Sequence, residues 1–247
     1  MKSAKLMFAA AFAAMVTSGA DAEPLPYSDA FGAAVRAYLL DNPSVMLEVF
    51  ARIQDLEEAH ARDAVSALIA EHEGALFGSK AARMGSPDGE YIVVEFFDYA
   101  CGFCKQALTE VEAAMAERDD ITVVLKELPI LGPSSDLAAR VGLALRESAG
   151  DAAYLAYHRA LMMHPARLDA ALVEDVIDEL GLGFDFSALR DLGDSPEISA
   201  ELWANQQLAQ ALGVLGTPGF VFRDEIVAGL MQADTLIEKL ESAGATR

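Results

Sequence analysis

Cysteine is almost absent from this 247-residue chain, which has two cysteines, Cys101 and Cys104. A secreted protein that used disulfides as scaffolding would usually have several well-separated pairs. Here the only possible intramolecular bridge closes a very small loop, and in the chain-entropy description a shorter loop gives less stabilisation. Such a bridge is better suited to being made and broken than to holding a fold. Cys-x-x-Cys spacing is typical of redox-active thiols.

Positive charge is also scarce, with 18 lysines and arginines against 39 aspartates and glutamates. Without the first 22 residues, which contain two lysines and one aspartate, 16 basic and 38 acidic residues remain and the formal charge is −22. This acidity argues against nucleic acid or an anionic membrane surface as a partner.

Long apolar runs are missing as well. The N-terminus has the order typical of an export signal: Lys2 and Lys5, an apolar stretch over residues 6–16, and Ala20-Asp21-Ala22. We predict a signal peptide over residues 1–22, cleaved after Ala22; a buried core helix is the alternative. The apolar stretch is too short to span a bilayer, which takes about 20 residues. The mature protein is therefore expected in the periplasm, where disulfides persist, without membrane insertion.

Residues 23–77 are predicted to form an N-terminal helical region. One helix covers residues 28–40, and a second begins after Asn42-Pro43 and runs to about residue 75. The second has apolar or aromatic positions three or four residues apart, as in a short coiled-coil seam: Met46, Val49, Ile53, Leu56 and His60. Because this region offers no obvious core partner of its own, we predict a homo-oligomer. Packing of the seam on the chain's own catalytic domain is the alternative.

Residues 78–90, rich in glycine, are predicted to be a linker. Residues 91–97 and 121–127 are continuous apolar runs typical of buried strands, and a helix is predicted between them. This order indicates a βαβ unit with a parallel sheet. Four helical segments and no convincing strand follow over residues 134–213. A short hairpin near residues 220–227 and a final helix complete the predicted α/β fold.

Three segments in this order resemble the DsbA-like family of bacterial disulfide oxidoreductases. They are residues 94–105, residues 126–132 and Gly216-Thr217-Pro218. The resemblance covers residues 91–247 and implies an α/β thioredoxin-like fold with an inserted helical subdomain, beside the N-terminal α-helical appendage. The chain is similar to the suppressor-of-copper-sensitivity C group, which implies disulfide isomerase activity and an oligomer such as a trimer.

Cys101 and Cys104 are the predicted catalytic residues. Cys101 would lie at a helix N-terminus, where free N–H groups and the helix dipole favour an anion, and the thiolate is the nucleophilic form. Cys104, one turn later, would resolve a mixed disulfide. Gly102 and Phe103 separate the two, and by the resemblance the lack of a histidine there implies a milder oxidant. No cofactor beyond this redox-active disulfide is implied.

Other residues are expected to support the cysteines. Glu95 lies in an apolar strand, where a carboxylate is costly without a role or a partner. By the resemblance it is a buried acid that exchanges protons with the resolving thiol; an ion pair with Lys126 is the structural alternative. Glu127 is expected to be solvated or structural. The resemblance also implies a cis bond between Thr217 and Pro218, so that an extended substrate can pair with the neighbouring backbone.

Phe103, Tyr99 and Phe220 are predicted to form an apolar surface around Cys101 for unfolded substrates. The resemblance implies exported cysteine-containing proteins and a membrane redox partner, either a reductase or an oxidase. Two other functions remain open, a monomeric DsbA-like oxidase and a non-enzymatic copper-binding or chaperone protein that uses the two cysteines. A zinc site would need four ligands. His158 and His164 flank Met162 and Met163, and these side chains could bind copper. We expect instead that the two methionines are core residues and that the two histidines are exposed.

Overall fold

The computed structural model describes residues 28–78 and 81–245. The predicted signal peptide and its cleavage site after Ala22 lie outside these residues. The chain divides into two compact units, Met1–Gln54 and Asp55–Arg247. Within the described ranges, no helix is long and apolar enough to cross a membrane.

The first unit contains helix α1 (Asp29–Asp41) and the first part of helix α2 (Ser44–Glu71). Ser28 begins α1 because its hydroxyl accepts a hydrogen bond from the backbone N–H of Phe31 at 3.2 Å. None of residues 28–54 is buried. Large apolar side chains are therefore exposed on both helices, and they include Phe31, Val35, Tyr38, Leu47, Val49, Phe50 and Ile53.

The boundaries of the second unit differ from the predicted ones. The last part of α2 and the short helix α3 (Glu73–Phe77) belong to it, since Ile69 and Leu76 are buried in its core. The segment predicted as a linker contains an edge strand, β1 (Arg83–Gly85). Neither feature has a strong local signal, because α2 is continuous across the boundary and β1 is only three residues long.

A five-stranded mixed sheet forms the centre of the second unit, in the order β1-β3-β2-β4-β5. The remaining strands are β2 (Tyr91–Phe97), β3 (Ile121–Glu127), β4 (Gly219–Val221) and β5 (Ile226–Ala228). β2 and β3 are parallel and are joined through helix α4 (Gly102–Glu117), which confirms the predicted βαβ unit. β1 pairs antiparallel with β3, and β4 pairs antiparallel with β2.

Helices cover both faces of this sheet. The inserted block and the C-terminal helix are α5 (Pro133–Ala149), α6 (Asp151–Met163), α7 (Ala170–Leu180), α8 (Phe186–Gly193), α9 (Pro196–Ala211) and α10 (Ala233–Ala243). The insertion thus has five helices rather than the four predicted, because the eight-residue helix α8 is too short to give a clear periodic pattern. Val93 and Phe97 of β2 belong to the core that includes α4 and α10, whereas Val94 and Phe96 belong to the core that includes α9. Because side chains alternate along a strand, Glu95 faces α4 together with Val93 and Phe97.

Candidate active site

Cys101 lies between the end of β2 and the first turn of α4, where it is the N-cap residue. Its Sγ accepts a hydrogen bond from the backbone N–H of Cys104 at 3.3 Å. Its thiol also donates to the backbone carbonyl of Thr217 at 3.2 Å, and the bond from Thr217 to Pro218 is cis. The fold therefore brings the two cysteines and the Thr-Pro loop, far apart in the chain, into one site.

Both cysteines are free thiols with different exposure. Cys101 is 6% exposed and Cys104 is fully buried at 0%. Burial raises the pKa of the Cys104 thiol, and the negative charge of Glu95 raises it further. Cys101 is thus the more exposed of the two cysteines, and Cys104 loses its proton less readily than an ordinary thiol.

Glu95 is buried beneath this pair. It is 2% exposed, and desolvation raises its pKa to about 8. The alternative ion pair with Lys126 does not form: among the described residues no ion pair joins them, and Lys126 lines a cleft beside α9 with Asn205 and Leu208. Burial therefore favours the protonated form of Glu95 at neutral pH, and its charge, when ionised, acts on the resolving thiol.

Glu127 is buried rather than solvated. It is 2% exposed and accepts hydrogen bonds from the hydroxyls of Tyr99 at 3.0 Å and Tyr154 at 2.8 Å. Burial raises its pKa well above the ordinary value. The possibility of a solvated strand end is wrong here, because α6 brings Tyr154 over the end of β3. Glu127 joins the active-site turn to the helical insertion.

Asp98 has a role that the sequence did not reveal. It is 1% exposed, and its Oδ1 accepts hydrogen bonds from the N–H of Ala100 and the hydroxyl of Ser135, both at 2.7 Å. Its Oδ2 accepts from the N–H groups of Ile130 and Leu131, both at 2.9 Å. Ala100 belongs to the turn that carries Cys101, and the other three donors fasten this turn to the segment after β3. A buried carboxylate requires such partners. The sequence does not indicate them, because three of the four donors lie more than 30 residues later in the chain.

Asp98→Asn is expected to lower the free energy of unfolding by about 2–3 kcal/mol, because an amide NH₂ replaces one acceptor and leaves buried donors unpaired. Ser135→Ala, which removes one donor, is expected to cost only about 1 kcal/mol. Urea unfolding followed by circular dichroism measures both. Equal stabilities for Asp98→Asn and the wild type would show that the four hydrogen bonds do not hold the turn.

The predicted apolar surface around Cys101 is only partly correct. Phe103 is 61% exposed, whereas Tyr99 and Phe220 are buried, each 1% exposed. Tyr99 is buried because its hydroxyl binds Glu127, and Phe220 because it lies opposite Glu95 in β4. Ile130 and Leu131, on the loop that Asp98 holds, also have exposed apolar side chains.

His158 is also buried, contrary to the expectation of an exposed histidine. It is 1% exposed and its ring packs edge-on against Phe97, 4.6 Å between centroids, and against Tyr99. Burial lowers the pKa of His158 to about 3, so it is a neutral core residue. His164 instead accepts a hydrogen bond from the N–H of Ala166. The described residues include no cluster of three or more histidine, cysteine or acidic side chains that could hold a metal ion.

A cysteine pair at the N-terminus of a helix that follows a central parallel strand, with a cis-proline loop against the first sulfur, defines a thioredoxin-fold thiol–disulfide oxidoreductase. Comparison with protein families agrees. Residues 92–241 match the DSBA-like thioredoxin domain, so the chain belongs to that family. Residues 29–60 match the N-terminal domain of the copper resistance protein ScsC.

Solved structures give the same result. A thioredoxin-like oxidoreductase from Silicibacter pomeroyi is 36% identical with a TM-score of 0.64, over 69% of this chain and 96% of that one. A linker-deletion variant of Proteus mirabilis ScsC is 27% identical with a TM-score of 0.66, over 89% and 97%. Salmonella enterica Typhimurium BcfH is 26% identical with a TM-score of 0.65, over 87% and 95%. Comparison with curated proteins finds no match.

Proposed function

We propose that this protein is a periplasmic oxidoreductase that isomerises or exchanges disulfides in exported cysteine-containing proteins. Its only redox group would be its own Cys101–Cys104 couple. The observation that carries the proposal is the Cys101 sulfur at the start of α4, between the N–H of Cys104 and the carbonyl of Thr217. Similarity to ScsC in both parts of the chain supports the isomerase role over simple oxidation.

The reaction begins when the Cys101 thiolate attacks one sulfur of a substrate disulfide. The bond between Cys101 and that sulfur forms, the substrate S–S bond breaks, and the other substrate sulfur leaves as a thiolate with the electron pair. The N–H of Cys104 is positioned to stabilise negative charge on the Cys101 sulfur. In isomerisation a substrate thiolate then displaces Cys101, and no net oxidation or reduction occurs.

If Cys104 attacks instead, the substrate leaves reduced and the protein is oxidised to its disulfide. Cys104 must first lose the proton on its buried Sγ, and Glu95 is the buried carboxylate whose charge acts on that thiol. In its ionised form Glu95 accepts this proton, and it returns the proton when the flow reverses. A membrane redox partner, a reductase or an oxidase, would then restore the starting state.

The reduction potential tests this proposal directly. The protein is equilibrated in glutathione buffers, and alkylation of Cys101 reports the reduced fraction. A reduction potential of about −120 to −180 mV, the range of strong oxidants and disulfide isomerases, supports an isomerase or oxidase. A potential of about −270 mV, like that of thioredoxin, would instead make the protein a reductant supplied with electrons by its partner.

We also propose that the exposed apolar side chains of α1 and α2 form the contact between copies of the chain. Their exposure and the match of residues 29–60 to the ScsC N-terminal domain support this. Apolar surface of this extent on two helices is unfavourable in water unless another surface covers it. The seam residues Val49 and Ile53, 45% and 44% exposed, lie at its centre.

The double substitution Val49→Asp and Ile53→Asp is expected to convert the oligomer to a monomer, because it introduces two charges into the apolar contact. Glu48→Lys, which changes the charge by two units on the polar face of α2, is the matched control and should leave the mass unchanged. Light scattering coupled to size-exclusion chromatography measures the mass of each. A wild-type protein that is already monomeric would contradict the proposal and favour the monomeric oxidase.

A further inference from the structure

A cleft of about 570 Å³ borders the active-site turn on the side of the helical insertion. It is lined by Tyr99 and Ala100, which directly precede Cys101, and by Lys105, which follows it by one turn of α4. Its other walls are the loop at Leu131 with the start of α5, and residues 165–168 between α6 and α7. A group bound here would lie within reach of a substrate whose sulfur is at Cys101.

The charge of this cleft is opposite to that of the chain. Its lining includes Lys105 and Arg167 and no aspartate or glutamate, although acidic residues outnumber basic ones by 39 to 18. Asp98 touches the lining through Ser135, but its carboxylate is buried and already accepts four hydrogen bonds. The cleft is therefore the place beside Cys101 where positive charge is concentrated.

Neither cation has an acidic partner within the described residues. Lys105 donates from Nζ to the backbone carbonyl of His164 at 2.7 Å, which uses one of its three N–H groups. Partial burial lowers the pKa of Lys105. Arg167 is exposed. By contrast, Arg118, Arg140, Arg146 and Arg159 all form ion pairs with carboxylates. The two cleft cations can thus bind an external anion without breaking an internal pair.

We propose that the Lys105–Arg167 cleft is an anion-binding subsite, which favours thiols and disulfides that have a carboxylate close to the reacting sulfur. The inference rests on the proposed thiol–disulfide exchange and adds a substrate preference to it. The carboxylate binds in the cleft while the Cys101 thiolate attacks; the new bond joins Cys101 to one substrate sulfur and the other leaves as a thiolate. Both oxidised glutathione and an acidic peptide disulfide have this chemistry.

The test compares disulfides of different charge. The reduced protein reacts with oxidised glutathione, which is anionic, with bis(2-hydroxyethyl) disulfide, which is neutral, and with cystamine, which is cationic. Acid quenching, alkylation and mass spectrometry give each second-order rate constant. Arg167→Gln is expected to slow the glutathione reaction by about two- to fivefold, because an exposed ion pair contributes a free energy of this size. The reaction of the neutral disulfide should not change.

Two further variants separate charge recognition from general effects. Arg190→Gln removes an exposed cation outside the cleft and is expected to change none of the three rates. Lys105→Gln should slow only the reaction of the anionic disulfide. Lys105→Arg, which keeps the positive charge, should react with that disulfide at about the wild-type rate. Addition of salt should reduce the wild type's preference for the anionic disulfide.

A disulfide-linked peptide with acidic residues beside its cysteines is compared with its amide analogue. The ratio of their rate constants, set beside the ratio for oxidised glutathione and the neutral disulfide, shows whether the cleft favours a polypeptide or a small thiol.

The outcomes are distinguishable. If Arg167→Gln and Lys105→Gln slow all three disulfides equally, or none, charge recognition is refuted while thiol–disulfide exchange stands. If none of the three rate constants of the wild type exceeds that of an ordinary free thiol, the proposed function fails and this inference fails with it. Selective slowing of the anionic substrate, absent in Arg190→Gln, supports the subsite.

Discussion

Cys101→Ser is expected to reduce thiol–disulfide exchange to the uncatalysed level, and Cys104→Ser to leave the protein trapped as a mixed disulfide with its substrate. A serine hydroxyl is not a nucleophile for disulfides at neutral pH, because the thiolate is the reactive form. Cys101 is the partly accessible sulfur and Cys104 is fully buried. Attack therefore survives the loss of Cys104, whereas release by the resolving thiol does not.

Non-reducing electrophoresis with a disulfide-containing protein substrate measures both results. The Cys104→Ser variant should show a covalent adduct that disappears with reductant, and Cys101→Ser should show none. An adduct formed by Cys101→Ser through Cys104 would reverse the assigned roles. Protection of cells against copper by Cys104→Ser, without any adduct, would favour the copper-binding alternative.

Glu95→Leu is expected to stabilise the protein and to slow release of the reduced substrate. The pKa of Glu95 is about 8 in the folded protein, against an ordinary value of 4.5. Between these values the folded state holds a proton that the unfolded state has released, so stability falls as the pH rises through this window. At about pH 7 the cost is on the order of 3 kcal/mol, at about 1.4 kcal/mol per pKa unit.

Leucine removes this cost and fills the space with apolar atoms, so the stability gain should be small near pH 5 and should grow towards pH 8. Urea unfolding at several pH values gives the difference between wild type and variant. This difference isolates Glu95, because the raised pKa of Glu127 adds a dependence of the same sign to both proteins. A gain that does not change with pH would show that Glu95 does not titrate in this window.

The kinetic consequence follows from the proton that Cys104 must lose. Without Glu95 the resolution step is expected to slow by about 10²-fold, at the lower end of general acid–base effects. The attack by Cys101 should change little, since that sulfur is not the one on which Glu95 acts. Stopped-flow measurement of both steps separates them. Equal slowing of attack and resolution would contradict a proton role for Glu95.

The cysteine pair and the central βαβ unit could be predicted from the sequence because their signals are local. β2 and β3 are runs of consecutive buried residues, and the cysteines follow β2 directly. The edge strand β1 was missed because three residues carry too little pattern. The boundary after Gln54 was missed because a single continuous helix crosses it.

The sequence by itself located the cysteine pair, the central βαβ unit and the family resemblance, since each depends on neighbouring residues. Only the tertiary structure decided what surrounds them. Thr217 reaches Cys101 across 116 residues, and the donors to Asp98 and the tyrosines on Glu127 also come from distant segments. The same holds for the cleft between Lys105 and Arg167. These contacts depend on how the helical insertion packs onto the sheet, and no short-range pattern in the chain encodes that packing.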